Sequence, residues 1–540
     1  MKPHSEIKDV PEGEKEGWRR TWPGISAVLC LAFSVVWTWP AAWSSELVGR
    51  QSDTLTTLWF LDAAARLPAD PLSNLGEPYQ RLDSYLLWLL ALLLPGDPGA
   101  LHRALQVGGI ALTAWATERT AAALGARTPW SLLAGFGFVG CGLASSALLE
   151  GYVYPLINPW LPLLMWALYQ PGARYGLVGA MALLFALGSN GYLGACALLL
   201  VGTVGLFQWR TAVVTLLASA PGLYFYLHKL GTAPTPGPAG PSTSANLLAL
   251  SYPTPALDQV DHSLLAVHPW TLLALTVAAP VVLRRQRWQP LAFAAGVALL
   301  LSTGPALALH GSRLLFEWPW AGLYELESMR FLRFPVRLGW VSVLCTALLG
   351  ARVAGELAQR SRSVWIVAPL WLCLAIDLFC GVQQPFRQRE QWAAVPSVYR
   401  PQGQDGALLH LDLLPEVTEE RNDLGRHFRA LLCYYQTQHR QPIPERCLGV
   451  EPGPDPRERA GTELLNLLLR GQEIPRGWGL SGGGTASEGA PVDLLIWHPD
   501  LFRPGDRERL RLALERIDPA PRSSRDGGEF LLAYRLRPAP

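Results

Sequence analysis

The chain has 540 residues, of which 50% are hydrophobic and 16% are charged. Its formal net charge of +2 gives no indication of a nucleic-acid partner or of strong attachment to an acidic surface. Long uncharged runs fill most of the chain before residue 380, and arginines fall in every second gap between them. This pattern is typical of a protein that crosses a membrane many times and keeps its arginine-containing loops in the cytoplasm.

The uncharged runs predict eleven spans, because about 20 apolar helical residues cross a bilayer core of about 30 Å. Arg19 and Arg20 precede the first run, which is too long for the core of a signal peptide, so we expect a retained span and a cytoplasmic N-terminus. The approximate spans are 23–43, 100–117, 129–148, 152–170, 175–188, 191–208, 211–228, 269–283, 288–306, 336–352 and 363–381. The charged residues then assigned to cytoplasmic loops are Glu118, Arg119, Arg127, Arg174, Arg210, Arg284, Arg285, Arg287 and those from Arg352 to Arg362.

Three parts follow from this topology: a cytoplasmic tail at 1–22, a transmembrane domain at 23–383 and an extracytoplasmic domain at 384–540. Residues 84–94 are apolar but number only about eleven, which suits a re-entrant or interfacial helix. If they cross the membrane, every later span is inverted unless another predicted span does not cross. The outer loops are 44–99, 229–268 and 307–335.

The C-terminal region alternates strand-like and helical patterns and predicts a small α/β domain. Its two cysteines, Cys433 and Cys447, could form one disulfide outside the cytoplasm or remain two thiols, and the sequence leaves both open. No Cys/His spacing typical of a metal site occurs. The predicted strands are 407–414, 492–497 and 529–536, and the predicted helices are 419–434, 457–470 and 505–516.

The first outer loop is rich in carboxylates, and Asp53 is the best-placed candidate for a general base. Transfer of a sugar from a lipid phosphate needs a base near the acceptor hydroxyl and cations near the departing phosphate. Asp53 also precedes a helix-like stretch at 54–66, so it could serve as a helix N-cap. The two roles do not exclude each other, because a helix N-terminus also favours an anionic phosphate.

Three arginines in the third outer loop, Arg330, Arg333 and Arg337, lie among aromatic residues just before a predicted span. They could bind a phosphate bidentately or simply anchor the loop among lipid headgroups, and the sequence favours neither. Ser189 and Asn190 fall at another outer turn. We interpret them first as ordinary turn residues and second as residues that line a cavity.

The chain resembles the bacterial multi-spanning proteins related to the C-fold (GT-C) glycosyltransferases, which take sugars from polyprenyl-phosphate carriers on the outer face of the membrane. The resemblance lies in the acidic loop with Asp53 and Trp59, in Arg333-Phe-Pro-Val-Arg337, and in further motifs along most of the chain. It implies that Asp53 is the catalytic base. The further motifs are Glu118-Arg119, Ala134-Gly-Phe-Gly-Phe138, Trp160-Leu-Pro-Leu-Leu164, Val395-Pro-Ser-Val-Tyr399 and Tyr435-Gln-Thr-Gln-His-Arg-Gln-Pro442.

The expected fold is mainly α: a polytopic, GT-C-like transmembrane bundle with a small C-terminal α/β domain. The leading hypothesis is an inverting glycosyltransferase of the bacterial cytoplasmic membrane, with a polyprenyl-phosphate-sugar donor and a glycan, lipid or protein acceptor. Glu77 and Asp83 are candidates for binding sugar hydroxyls or a divalent ion, although no motif indicates a cofactor. His439 is interpreted as a structural residue first and a substrate-binding residue second. The alternatives are a transporter or flippase for lipid-linked glycans, and an inert assembly factor.

Overall fold

The computed structural model describes a helical bundle and parts of the C-terminal region. Cys433 and Cys447 lie outside the described residues, so the choice between a disulfide and two thiols stays open. The described residues are 12–39, 57–58, 61, 85–94, 96–149, 153, 155–170, 172–232, 268–283, 288–303, 306–309, 312–317, 335–361, 364–380, 410–413, 464–470, 472, 479–480, 490–491, 494–497, 499, 502, 504–519, 521–524 and 531–535.

Helices dominate the described chain as far as Cys380. Every predicted span overlaps at least one of them, and α2 (Tyr85–Leu93) falls in the apolar stretch predicted to be a short helix. The number of membrane crossings stays a prediction. The helices are α1 (Glu12–Trp37), α2 (Tyr85–Leu93), α3 (Pro98–Ala123), α4 (Ser131–Val139), α5 (Gly142–Leu149), α6 (Trp160–Tyr169), α7 (Ala173–Ser189), α8 (Gly191–Val204), α9 (Trp209–Thr232), α10 (Trp270–Val282), α11 (Gln289–Ser302), α12 (Gly339–Ser361) and α13 (Val364–Cys380).

The start of α3 shows how local sequence sets a helix boundary. Asp97 has an extended backbone, and its carboxylate accepts a hydrogen bond from Ala100 N at 2.7 Å. Pro98 follows in the first turn, where its missing N–H costs nothing. Before α7, Gly172 has φ of 122°, a conformation that side chains other than glycine rarely adopt.

Two pairs of contacting helices are antiparallel. α1 runs antiparallel to α3, because Trp22 bonds to Glu118 while Ser34 Oγ donates to Val107 O at 2.6 Å. α6 and α7 are also antiparallel, with the Trp160 ring at the start of α6 stacked 4.6 Å from Phe185 near the end of α7. The short connection between α6 and α7 leads to the antiparallel arrangement of that pair.

α7 and α9 run parallel and approach closely at glycines. A Cβ on Gly176 would lie 2.6 Å from the Val214 side chain, and one on Gly179 would lie 2.6 Å from Thr215 Oγ1. Thr215 Oγ1 donates to the buried carbonyl of Gly176 at 3.2 Å. Small residues at such contacts let two backbones approach, which is how helices associate without water.

α10 and α12 are likewise parallel. At their first turns His268 Nε2 lies 3.0 Å from Ser342 Oγ, and at their last turns Arg360 donates to Val282 O at 2.6 Å. The bundle therefore has two distinct ends. We call the end that holds Arg174, Arg210 and Arg360 the arginine-rich end. The other end, at which α8, α10 and α12 begin, is called the opposite end.

The span boundaries predicted that Glu118 lies in a loop. This prediction is wrong, because α3 continues past Glu118 to Ala123. The residue is fully buried, and its Oε1 accepts hydrogen bonds from Trp22 Nε1 at 3.1 Å and Ser131 Oγ at 2.7 Å. Arg119 lies 3.8 Å from the second carboxylate oxygen. These donors explain why a carboxylate is tolerated inside the bundle and joins α1, α3 and α4. Arg352, also assigned to a loop, is buried within α12.

The predicted span at 129–148 is not one helix. α4 ends at Val139, and α5 begins after Gly140 and Cys141. A Cβ on Gly140 would lie 2.6 Å from the Leu378 side chain, so only a glycine lets α13 pack against this break. Hydrophobicity predicts correctly that residues 129–148 are largely helical, but it does not predict the break between α4 and α5.

The outer surface of the bundle is apolar. Only one helix in the described part of the chain, Gly339–Arg360, is long and apolar enough to cross a bilayer by itself, and it is 83% buried. Seven shorter apolar helices in the same described part have 10–17 residues. Large hydrophobic side chains nevertheless face outward around the bundle, among them Val28, Leu217 and Val277, which are 66%, 70% and 75% exposed. A soluble protein rarely exposes so much apolar surface, and lipid would cover it.

The described part of the tail centres on a four-stranded sheet. Its strands lie in the order β3 (His410–Leu413), β6 (Leu494–Trp497), β8 (Leu531–Arg535) and β7 (Arg522–Ser524). β6 pairs parallel with β3 and antiparallel with β8. Leu495 and Trp497 lie on one face of β6 and are buried with Tyr534 of β8 and with Leu510 and Leu514 of helix α14 (Pro504–Ile517). Three of these strands fall within the predicted ones. The elements, including two hairpins elsewhere, are β1 (Ala306–Leu309), β2 (Ser312–Glu317), β3 (His410–Leu413), β4 (Gly479–Leu480), β5 (Ala490–Pro491), β6 (Leu494–Trp497), α14 (Pro504–Ile517), β7 (Arg522–Ser524) and β8 (Leu531–Arg535).

The close contact between α7 and α9 predicts that Gly176→Ala destabilises the bundle. The new methyl group would overlap Val214, and overpacking costs about 1–3 kcal/mol. Gly202→Ala is the matched control, because a Cβ there meets nothing within 4 Å. We expect a lower unfolding temperature for Gly176→Ala alone, measured by intrinsic fluorescence of the detergent-purified protein. Equal unfolding temperatures for the two variants would contradict this packing.

The buried carboxylate gives a second expectation. Glu118→Ala leaves the donors of Trp22 and Ser131 without their acceptor, which costs about 1–3 kcal/mol for each unsatisfied group. Glu118→Gln keeps one acceptor oxygen and should cost less. Glu356→Ala is the control, since Glu356 is partly exposed and pairs with Arg360 in a surface ion pair worth about 0.3–0.5 kcal/mol. The ranking is checked by thermal unfolding, and a Glu118→Ala protein as stable as the control would contradict it.

Candidate functional site

The structure describes one of the seven predicted site residues, Arg337. Thr57, Leu58 and Leu61, which follow Asp53 in the chain, are helical and buried, as the helix-like pattern predicts. The other predicted site residues, Asp53, Glu77, Asp83, Arg330, Arg333 and His439, lie outside the described residues.

Arg337 lies at the opposite end of the bundle, in a short 3-10 helix that leads into α12. Its guanidinium carbon is 4.8 Å from the centre of the Tyr192 ring, a cation–π distance. The Cys196 thiol, one turn further along α8, donates to the Arg337 carbonyl at 3.5 Å. Both the backbone and the side chain of Arg337 therefore contact the first two turns of α8.

The start of α8 is fixed by Asn190. Its side-chain oxygen accepts a hydrogen bond from Tyr192 N at 2.8 Å and caps the helix. Ser189 Oγ bonds back to Phe185 O at 2.6 Å, inside α7. The structure thus gives both turn residues local bonding roles, as interpreted from the sequence, and brings Asn190 into the turn that carries Tyr192.

Asp377 stabilises the same end. Its Oδ2 accepts hydrogen bonds from Thr271 N at 2.6 Å and from the Thr271 hydroxyl, at the first turn of α10. A carboxylate at a helix N-terminus is favoured both by these donors and by the helix dipole. These hydrogen bonds join α13, the helix that carries Asp377, to α10. No local sequence pattern indicates this pairing, because the two residues are far apart in the chain.

Two further polar groups at this end were not predicted. Asn158 precedes α6 and is fully buried: its backbone N donates to Thr113 Oγ1 at 2.8 Å, and its Oδ1 accepts from Leu161 N at 3.4 Å. Its Nδ2 and the indole Nε1 of Trp160 are buried donors without a hydrogen-bond partner in the described part of the chain. A buried donor normally bonds to protein or ordered water, so an oxygen-bearing ligand or a water would be favoured here.

The chemistry available among these residues is recognition of an oxyanion. Arg337 supplies a permanent positive charge with several N–H donors, and it is only partly buried. No cluster of three or more His, Cys, Asp or Glu side chains suited to a metal occurs within the described ranges. The described residues therefore supply a cationic group and neutral donors, while the predicted base belongs to the segment around Asp53.

No protein-family model matches the chain, and no curated protein does. Among solved structures, the chain is similar to the crystal structure of ArnT from Cupriavidus metallidurans bound to undecaprenyl phosphate. The superposition covers 95% of this chain and 98% of that chain, at 13% sequence identity and a TM-score of 0.42. The relationship to the C-fold glycosyltransferases rests on the motifs in the sequence.

Proposed function

We propose that the chain is an inverting glycosyltransferase of the bacterial cytoplasmic membrane that transfers a sugar from a polyprenyl-phosphate donor to an acceptor on the outer face. The observation that carries the proposal is the separation of charges along the bundle. Arg174, Arg210 and Arg360 lie at the arginine-rich end, whereas Arg337 lies at the opposite end, against Tyr192.

The apolar outer surface supports membrane insertion, and the distribution of arginines supports its direction. Cytoplasmic loops of membrane proteins carry an excess of Arg and Lys, so the arginine-rich end faces the cytoplasm in this proposal. Arg337 then lies at the outer face. A partly exposed arginine on the side that usually has few of them favours a specific role, and the phosphate of a lipid carrier at headgroup depth fits its charge and geometry.

In the proposed reaction, Asp53 takes the proton from the acceptor hydroxyl as its oxygen attacks the anomeric carbon of the donor sugar. The new carbon–oxygen bond forms on the face opposite to the breaking bond, so the anomeric configuration inverts. The carrier leaves as a polyprenyl phosphate, and Arg333 and Arg337 stabilise the negative charge that develops on it. Glu77 and Asp83 bind the sugar hydroxyls or a divalent ion, and the tail with His439 contributes to acceptor binding.

A transporter or flippase for lipid-linked glycans is the second candidate. Glu118 and Arg352 are buried ionisable residues within helices, and such residues often mark transport pathways. Two hydrogen-bond donors already satisfy one oxygen of Glu118, and Asp377 caps α10. These structural roles account for the two carboxylates, Glu118 and Asp377, without transport. An inert assembly factor is the third candidate, and it predicts no sugar transfer by the native chain.

Asp53→Asn separates the catalytic role from the capping role. Asparagine caps a helix about as well as aspartate but cannot act as a base, so we expect transfer to fall about 10²–10⁴-fold with the fold intact. Asp97→Asn is the matched control, since Asp97 is an exposed N-cap in the same predicted outer loop. Surface glycans are quantified by mass spectrometry in a strain that lacks the native gene and expresses each variant.

Full glycan levels in the strain expressing Asp53→Asn, at normal protein levels, would reject Asp53 as the base. The transporter would be favoured if the surface glycans require the protein but are unchanged in both Asp53→Asn and Asp97→Asn. Movement of a lipid-linked glycan by the reconstituted protein, without sugar transfer, would establish it.

A further inference from the structure

Three arginine–aromatic pairs lie at the ends of helices in the described chain, and one of them differs from the others. Arg174 lies 4.8 Å from the Tyr175 ring centre and Arg210 lies 5.5 Å from that of Trp209. Both pairs join consecutive residues, so local geometry is enough to form them. Arg337 and Tyr192 are far apart in sequence and meet only because α8 and α12 pack together.

The ring of Tyr192 is itself held in place. Asn190 caps α8 through Tyr192 N, which fixes the backbone that carries the ring. The Cys196 thiol bonds to the Arg337 carbonyl, which fixes the backbone that carries the guanidinium. With both backbones constrained, the stacking contact restricts the remaining freedom of a long and flexible side chain.

We propose that Tyr192 is a positioning residue for phosphate recognition: its ring holds the Arg337 guanidinium in the orientation that receives the carrier phosphate. The inference rests on the proposed function of Arg337. A guanidinium stacked on an aromatic face keeps N–H donors at its edge, where two parallel hydrogen bonds to a phosphate can form. Because the side chain is ordered before the ligand arrives, less conformational entropy is lost on binding.

The test measures binding of undecaprenyl phosphate to the full-length protein in detergent by titration in native mass spectrometry. Tyr192→Leu removes the ring and should weaken binding about fivefold to tenfold, in line with a cation–π contact of about 1 kcal/mol. Tyr192→Phe keeps the ring and should bind within about twofold of the wild type. Tyr175→Leu, which removes the matched ring at the arginine-rich end, should leave binding unchanged. Tyr192→Met serves as a second ring-free variant if the leucine protein does not fold.

A double-mutant cycle separates this inference from the proposed function. Arg337→Ala should weaken binding strongly, and adding Tyr192→Leu to it should cause no further loss, since the ring acts only through the guanidinium. If Arg337→Ala binds like the wild type, the proposed role of Arg337 is wrong and this inference falls with it. If Arg337→Ala weakens binding but Tyr192→Leu has no effect, or adds to the loss, the positioning role alone is overturned.

Discussion

The bundle depends on satisfying polar groups inside an apolar shell. Its outward faces are hydrophobic, so buried charges and hydroxyls must find partners on neighbouring helices rather than in solvent. Glu118 does so at the arginine-rich end with Trp22 and Ser131, and Asp377 does so at the opposite end with Thr271. Between the ends, glycines allow close backbone contact. These hydrogen bonds and glycine contacts determine which helices are neighbours, because uniform hydrophobicity does not distinguish one helix partner from another.

The two ends of the bundle differ in what their charges do. At the arginine-rich end, Arg174 and Arg210 contact adjacent aromatic residues, whereas Arg360 donates to the Val282 carbonyl and joins α12 to α10. At the opposite end, the Arg337 guanidinium lies over an aromatic ring of a helix from another part of the chain. Arg337 thus connects packing with chemistry, because a guanidinium whose position depends on a ring of another helix can be oriented for a ligand.

The sequence predicted the positions of the helices well, because an apolar run between charged gaps has few other stable structures. It misplaced Glu118 and Arg352, because a charged residue is interpreted as the end of a span. Both residues are buried, since partners distant in sequence allow a charge to lie within the bundle. The break at Gly140 also depends on a contact, with Leu378, that no local pattern encodes. The pair of β1 and β2 is local by contrast, and it lies at the start of the third predicted outer loop, where the sequence predicted no strands. Of the site, the sequence singled out Arg337, but not Tyr192, whose relevance depends on the meeting of two helices. The positions of Asp53 and the remaining site residues stay predictions.

The order of strands in the tail has a consequence for biogenesis. β8 lies between β6 and β7 and is the last of the four to be synthesised, while β3 is the first. During synthesis, β6 can pair with β3 early, but its other edge stays open until residues 531–535 have been made. A premature stop codon shortly before that point would remove only a small fraction of the chain, yet would leave an unpaired edge prone to aggregation and to proteolysis.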